Sequence, residues 1–186
     1  IVNDTVANLD VDGEAYMITV QNKSIPMTTV TGTYYSMSNI GQVEADAADT
    51  ASISADAYWL NVAIADKSLP MGLKVDLQAG MISPDDFVNV KMDSTTAMGA
   101  KVSVKAMPEL TLTGAFSYAS GSKDKTVVAI KNTGTGIKSP LFTQMVYNQD
   151  AISLDATTLL VKGAYSLGDM GTVIAQFGAT TAGDRK

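Results

Sequence analysis

The sequence predicts an all-β protein of antiparallel strands, and three observations support this fold class. Thr, Ser, Gly, Val and Tyr are plentiful, whereas Glu and Arg are scarce, a composition that favours strands and turns over helices. Apolar and polar residues alternate with a period of two in several segments, as they do in strands with two different faces. The connections between these segments alternate between short and long, except at Asp12-Gly13, which is short where a long connection is expected.

About nine segments have strand character. They are residues 5–11, 15–21, 27–37, 55–65, 72–81, 97–106, 110–119, 158–166 and 172–180. Asp12-Gly13, between the first two, favours a type I′ hairpin turn because Gly accepts the positive φ which that turn requires. The last segment is ambiguous, because Ile174 falls on the face opposite Val173 and Phe177.

The connections define two ends of the predicted sheet. Short connections are expected at residues 23–26, 67–71, 107–109 and 167–171, and longer ones at 38–54, 82–96 and 120–157. A repeat marks the short ones: Lys-Ser-Ile-Pro-Met at 23–27 recurs as Lys-Ser-Leu-Pro-Met at 67–71, with a looser copy at 105–109. Pro fixes φ and lacks an N–H group, which suits a turn at the entry to a strand.

Strands of about ten residues, with short turns at one end and long loops at the other, are typical of transmembrane β-barrels. In hydrocarbon every backbone N–H and C=O group needs a protein partner, so a sheet persists there only when it closes on itself. The pattern therefore favours an antiparallel transmembrane β-barrel. A soluble β-sandwich, whose strands also alternate, is the alternative that the pattern leaves open.

In the barrel, one face of each strand meets lipid and the other lines the channel. The residues expected to face lipid are Tyr58, Leu60, Val62, Ile64, Leu73, Val75, Leu77, Val102, Val104 and Phe116. The residues expected to line the pore are Asn61, Lys74, Asp76, Gln78, Lys101, Ser103 and Lys105. The sorting of charge supports this assignment, because a lysine on the lipid face near mid-bilayer costs about 2–4 kcal/mol.

The composition lacks the residues that most catalytic sites and metal sites need. The chain has no Cys and no His, which excludes disulfides and thiolate metal sites and removes the commonest general base. No G-x-S-x-G motif occurs and nothing marks a Ser-Lys dyad, so we predict no enzymatic activity and no catalytic residues. The net charge of −6 argues against a nucleic-acid partner.

Acidic and glycine-rich groups in the connections are candidate ion sites with simpler explanations. Asp10, Asp12 and Glu14 flank Gly13, but the glycine is misplaced for a calcium loop. Asp85-Asp86 and the group Glu44, Asp46 and Asp49 could attract cations or could be solvated loop residues. The connection 120–157 contains Gly-Thr-Gly at 134–136, and its length suggests that it folds inward to constrict a pore or packs on a neighbour.

Four stretches of the sequence carry a family resemblance: YYSMSNIG at 34–41, LPMGLKV at 69–75, TGTGIKSPLFTQM at 133–145 and ATTLLVKGAYSLGD at 156–169. They resemble the major outer membrane porin of Campylobacter-type bacteria, and the similarity extends from about residue 27 to 182. The resemblance implies a larger barrel of roughly 16–18 strands, an even number as in other bacterial barrels. It also implies a homotrimer in the bacterial outer membrane, a cation-preferring diffusion pore, and a calcium ion whose ligands it does not identify.

Two functional hypotheses follow, and a β-fold hydrolase is a third. The first is an outer-membrane porin that contacts lipid, passes ions and small hydrophilic solutes, and needs no cofactor. The second is a surface-exposed structural or adhesive β-sheet protein without a channel. Family members are longer, the chain lacks the terminal aromatic residue of a barrel's last strand, and the count of nine strands is odd. We therefore expect residues 1–186 to be a single β-barrel segment of a longer porin chain.

Overall fold

The computed structural model describes residues 13–46, 49–85, 92–120, 126–127, 141–145 and 155–182. Within these residues the chain forms one eight-stranded antiparallel sheet in which strands adjacent in the chain are adjacent in space. Its strands, in spatial order, are β1 (Glu14–Asn22), β2 (Thr28–Asp46), β3 (Asp49–Ala65), β4 (Lys74–Pro84), β6 (Thr95–Lys105), β7 (Leu110–Ala119), β9 (Ala156–Ser166) and β10 (Thr172–Ala182). Two-residue strands β5 (Met92–Asp93) and β8 (Thr126–Val127) pair separately, in parallel.

The all-β antiparallel prediction is confirmed, and eight of the predicted segments overlap the eight strands of the sheet. The first predicted strand, residues 5–11, lies outside the described residues, as does Asp12 of the predicted hairpin turn. The sheet is open, with β1 and β10 as its edges in the described part of the chain. No helix in the described ranges is long and apolar enough to cross a membrane.

The short connections all lie at one end of the sheet, and the internal repeat forms the same turn twice. The Ser24 amide donates to Asn22 Oδ1 and the Ser68 amide donates to Asp66 Oδ1, both at 2.8 Å. The methionine that ends each copy has a positive φ, 61° at Met27 and 55° at Met71. The repeat therefore encodes a compact reversal whose last residue adopts the left-handed conformation that favours glycine.

The other end of the sheet differs from the prediction most clearly at residues 38–54. Residues 38–54 were expected to be a loop, but β2 and β3 continue through it as a paired hairpin in which Gly41 pairs with Ile53 and Glu44 with Thr50. The register shifts between Met37 and Gly41 and again between Glu44 and Asp46. A paired hairpin can form without alternating apolar residues when neither of its faces has to be apolar. The bulges at these register shifts hide the period of two further.

Candidate functional site

The hydrogen-bonding register places the seven residues predicted to line a pore on one face of the sheet. Residues directly opposite each other in an antiparallel ladder point to the same side. The direct pairs are Asn61 with Gln78, Asp76 with Lys101, and Lys74 with Ser103. Lys105, two residues after Ser103 in β6, shares this side by the alternation of the strand. We call this side of the sheet the polar face.

The opposite side, the apolar face, carries the residues predicted to meet lipid. Ile64 pairs with Val75, which pairs in turn with Val102 on the next strand. Phe116 pairs with Leu159, and Val173 with Tyr165. Leu73 precedes β4 and is outside the ladder. The ambiguity in the last strand is resolved, because Ile174 pairs with Ala164 on the polar face.

Exposure on the two faces is the reverse of that in a soluble protein. In the interior strands β6 and β9, large apolar side chains on the apolar face are open to the surroundings, with exposed fractions of 51% for Met98 and 59% for Leu159. On the polar face, Ser117 and Thr158 are fully buried, and Gln78 is 5% exposed. In β6, β7 and β9 burial alternates residue by residue over the half nearest the long connections. Nothing among the described residues forms a second layer over the apolar face.

Part of the longest connection lies on the polar face. Leu141 is buried in a cluster with Ala97 and Ala119, two small residues of β6 and β7. Thr143 is fully buried and its hydroxyl is hydrogen-bonded to that of Ser117. We call residues 141–145 the inward segment. Residues 141–145 of this connection therefore lie against the polar face of the sheet.

Lys101 connects the inward segment to the strands. Its Nζ atom lies 3.1 Å from Asp76 Oδ2 on the neighbouring strand and 4.4 Å from the centre of the Phe142 ring. A lysine ammonium near an aromatic ring face is attracted by the ring quadrupole, typically by about 0.5–1 kcal/mol when exposed. The two side chains of the ion pair are partly exposed, at 32% and 27%, so water weakens the pair's contribution to stability.

Trp59 forms part of the surface against which the inward segment packs. Its indole lies over Gly80, where the absence of a Cβ atom leaves room for the ring. The same side chain contacts the cluster of Ala97, Ala119 and Leu141. Trp59 and Gly80, on neighbouring strands, therefore form a surface that is surrounded by small residues.

Sequence reasoning missed several residues of the polar face. Lys162 pairs with Thr113 on one side and with Gln176 on the other, so all three belong to this face. The available signal was the alternation in β9, but Leu160 and Ala164 share the polar face with Lys162 and obscure it. The buried hydroxyls of Ser117 and Thr158 could be recognised only from the fold.

The described residues do not bring together a metal site. No group of three or more Asp, Glu, His or Cys side chains is close enough to hold an ion in the described ranges. Glu14 lies in β1 and Asp85 directly follows β4, whereas Asp10, Asp12, Asp86 and residues 134–136 are outside the described ranges. Glu44, Asp46 and Asp49 are in the hairpin of β2 and β3. Within these ranges the structure assigns no ligands to the calcium ion that the resemblance implies.

No protein-family model, curated protein or solved structure matches the chain.

Proposed function

We propose that the protein is a porin of the bacterial outer membrane. The chain forms part of a β-barrel wall around a water-filled channel, through which ions and small hydrophilic solutes diffuse passively without chemistry. The observation that carries this proposal is the reversed exposure of the sheet: an open apolar face and a polar face covered in part by the inward segment.

Lipid accounts for the open apolar face better than water does. Soluble proteins rarely expose a contiguous apolar surface of more than a few hundred Å², whereas this face carries exposed apolar side chains on β1, β3, β4, β6, β7, β9 and β10. Removing apolar surface from water is favourable by roughly 25 cal/mol per Å². A soluble sandwich would bury this face against a second sheet.

The unpaired edges of the sheet are the reason to propose that it closes into a barrel. In hydrocarbon the unpaired backbone groups of β1 and β10 would each cost several kcal/mol, so both edges need strand partners. We propose that further strands supply them and complete a barrel of roughly 16–18 strands. Homotrimer formation and the Campylobacter-type family remain proposals that rest on the sequence resemblance.

The inward segment lies on the channel side in this proposal and narrows the passage there. The hydroxyl contact of Thr143 with Ser117 and the contact of Phe142 with Lys101 hold it against the wall. The cation preference that the resemblance implies would come from acidic residues of the long connections, because the described strand wall carries more lysines than carboxylates on its polar face.

The decisive experiment is single-channel recording in a planar bilayer, using the full-length native protein purified in detergent. The porin proposal predicts stepwise, long-lived conductance increments, together with heat-modifiable migration on a gel. Well-folded material that stays in solution without detergent and never conducts would overturn it.

The second candidate is a structural or adhesive β-sheet protein of the cell surface. The fully exposed edge strand β1 favours it, because an unpaired edge is a template for pairing with another chain. This candidate predicts concentration-dependent assembly in detergent-free buffer and no conductance. The same preparation therefore distinguishes the two functions.

A further inference from the structure

Four lysines of the polar face surround a pair of hydroxyl groups in the half of the sheet nearest the short turns. Ser103 Oγ and Thr113 Oγ1, on the neighbouring strands β6 and β7, are hydrogen-bonded at 2.9 Å. Lys74 is the direct ladder partner of Ser103 on the β4 side. Lys162 is the direct partner of Thr113 on the β9 side.

The remaining two lysines lie on the same strand as Ser103. Lys101 precedes it by two residues and Lys105 follows it by two, so both side chains project from the polar face. Directly paired residues have Cβ atoms about 4.5–5.5 Å apart, and residues two apart in a strand are separated by roughly 7 Å. The hydroxyl pair therefore has a lysine on each of its four sides.

The charge of this cluster is largely uncompensated within the described residues. Asp76 is the polar-face carboxylate next to the cluster, and its side chain is paired with Lys101. Lys74, Lys105 and Lys162 have no carboxylate within salt-bridge distance among the described residues. The charged residues of the adjacent turns are Asp66, Lys67, Glu109 and Asp169, of which the Asp66 carboxylate accepts the Ser68 amide.

The cluster is also accessible. Lys74 and Lys105 are exposed, and Ser103, Thr113 and Lys162 are partly exposed, in contrast to the buried polar face on which the inward segment packs. A solute reaching this half of the polar face from the short-turn end would meet ammonium groups and hydroxyl donors together.

We propose that Lys74, Lys105 and Lys162, with the hydroxyls of Ser103 and Thr113, form a binding site for oxyanionic groups of passing solutes. Lys101, whose Nζ atom is paired with Asp76, lies beside this site. The proposal rests on the porin function. Ammonium and hydroxyl groups donate charge-assisted hydrogen bonds to phosphate or carboxylate oxygens. Because the donors are flexible and hydrated, binding is weak enough for the solute to leave, as conduction requires.

The test is phosphate titration of single channels formed by the full-length protein in a planar bilayer with a KCl background. Inorganic phosphate added on the short-turn side is expected to reduce the chloride current in a saturable manner. Lys74→Gln and Lys162→Gln are each expected to raise the half-saturating phosphate concentration roughly two- to fivefold, the range of a partly exposed charge contact.

Lys23→Gln is the matched control, since it removes the same charge at a short turn of the same end, away from the cluster. Open channels whose current is insensitive to phosphate would overturn the site and leave the porin function standing. An equal effect in Lys23→Gln would overturn it too, because the effect would then be general screening. Absence of any conductance from folded protein would overturn the site together with the porin function.

Discussion

The Nζ atom of Lys101 lies 4.4 Å from the centre of the Phe142 ring, so a strand of the sheet contacts a residue of its longest connection. The two residues are 41 positions apart in the chain, and the contact depends on the connection turning back over the polar face. This relationship links the charge of the wall to the position of the inward segment.

Phe142→Leu is expected to loosen the inward segment and to raise single-channel conductance. The substitution removes a cation–π contact of about 0.5–1 kcal/mol while it keeps an apolar side chain. Phe177→Leu is the control, because Phe177 is 70% exposed on the apolar face and makes no contact with this segment. Unchanged conductance and unchanged current noise in Phe142→Leu would contradict a role for this contact.

Leu60→Arg and Asn61→Arg test the assignment of the two faces with neighbouring residues. Leu60 belongs to the apolar face and is 45% exposed, whereas Asn61 pairs with Gln78 on the polar face. An arginine facing lipid near mid-bilayer costs about 2–4 kcal/mol, so Leu60→Arg is expected to fail in folding into vesicles, as followed by heat-modifiable migration. Asn61→Arg is expected to insert and to shift the reversal potential.

The opposite outcome, insertion of Leu60→Arg and failure of Asn61→Arg, would invert the face assignment. Gln78 is unsuitable for this comparison because it is 5% exposed and lies against Gly99, so an arginine there would lack space.

Met71→Gly is expected to stabilise the turn between β3 and β4. Met71 has a φ of 55°, a conformation that costs an L-residue about 1–2 kcal/mol but costs glycine little. Since glycine also gains freedom in the unfolded chain, the expected net gain is at most about 1 kcal/mol in the free energy of unfolding. Urea unfolding of the protein in detergent micelles measures it.

Met71→Val provides the opposing variant for the same turn. A β-branched residue tolerates positive φ poorly, so its unfolding midpoint should fall below that of the wild type. A Met71→Gly variant less stable than Met71→Val would mean that side-chain packing of Met71, and not its backbone conformation, dominates the turn.

How much of this fold could be predicted depends on whether a segment has two different faces. In β4, Val75 and Leu77 alternate with Lys74 and Asp76, so the pattern was visible in the sequence. In the hairpin that includes Glu44 and Thr50, the strands pair in register, but the sequence carries little periodic signal.

The candidate site was predictable only in part, for a related reason. Alternation placed Lys101 and Ser103 on one face, but the contact of Ser117 with Thr143 joins residues 26 positions apart and depends on the tertiary course of the connection. Gln78 was expected to face open water, and its burial likewise comes from chain packing.

Gly80→Ala is expected to displace the indole of Trp59 and with it the surface that supports the inward segment. A Cβ atom at Gly80 would overlap the indole ring, whereas a Cβ atom at Gly114 would meet nothing within 4 Å. Overpacking of this kind typically costs about 1–3 kcal/mol. Because Trp59 is the single tryptophan of the chain, intrinsic fluorescence reports its environment directly.

In Gly80→Ala we expect a changed emission maximum and a lower unfolding midpoint. In Gly114→Ala we expect an unchanged emission maximum and an unfolding midpoint that is unchanged or slightly higher. The higher stability of the control would arise because alanine has less conformational entropy than glycine in the unfolded chain, a difference of roughly 0.5–1 kcal/mol in a strand. If the displaced indole also releases Leu141, single-channel conductance should rise in Gly80→Ala as it does in Phe142→Leu. A Gly80→Ala variant with wild-type emission and stability would mean that Trp59 does not rest on Gly80.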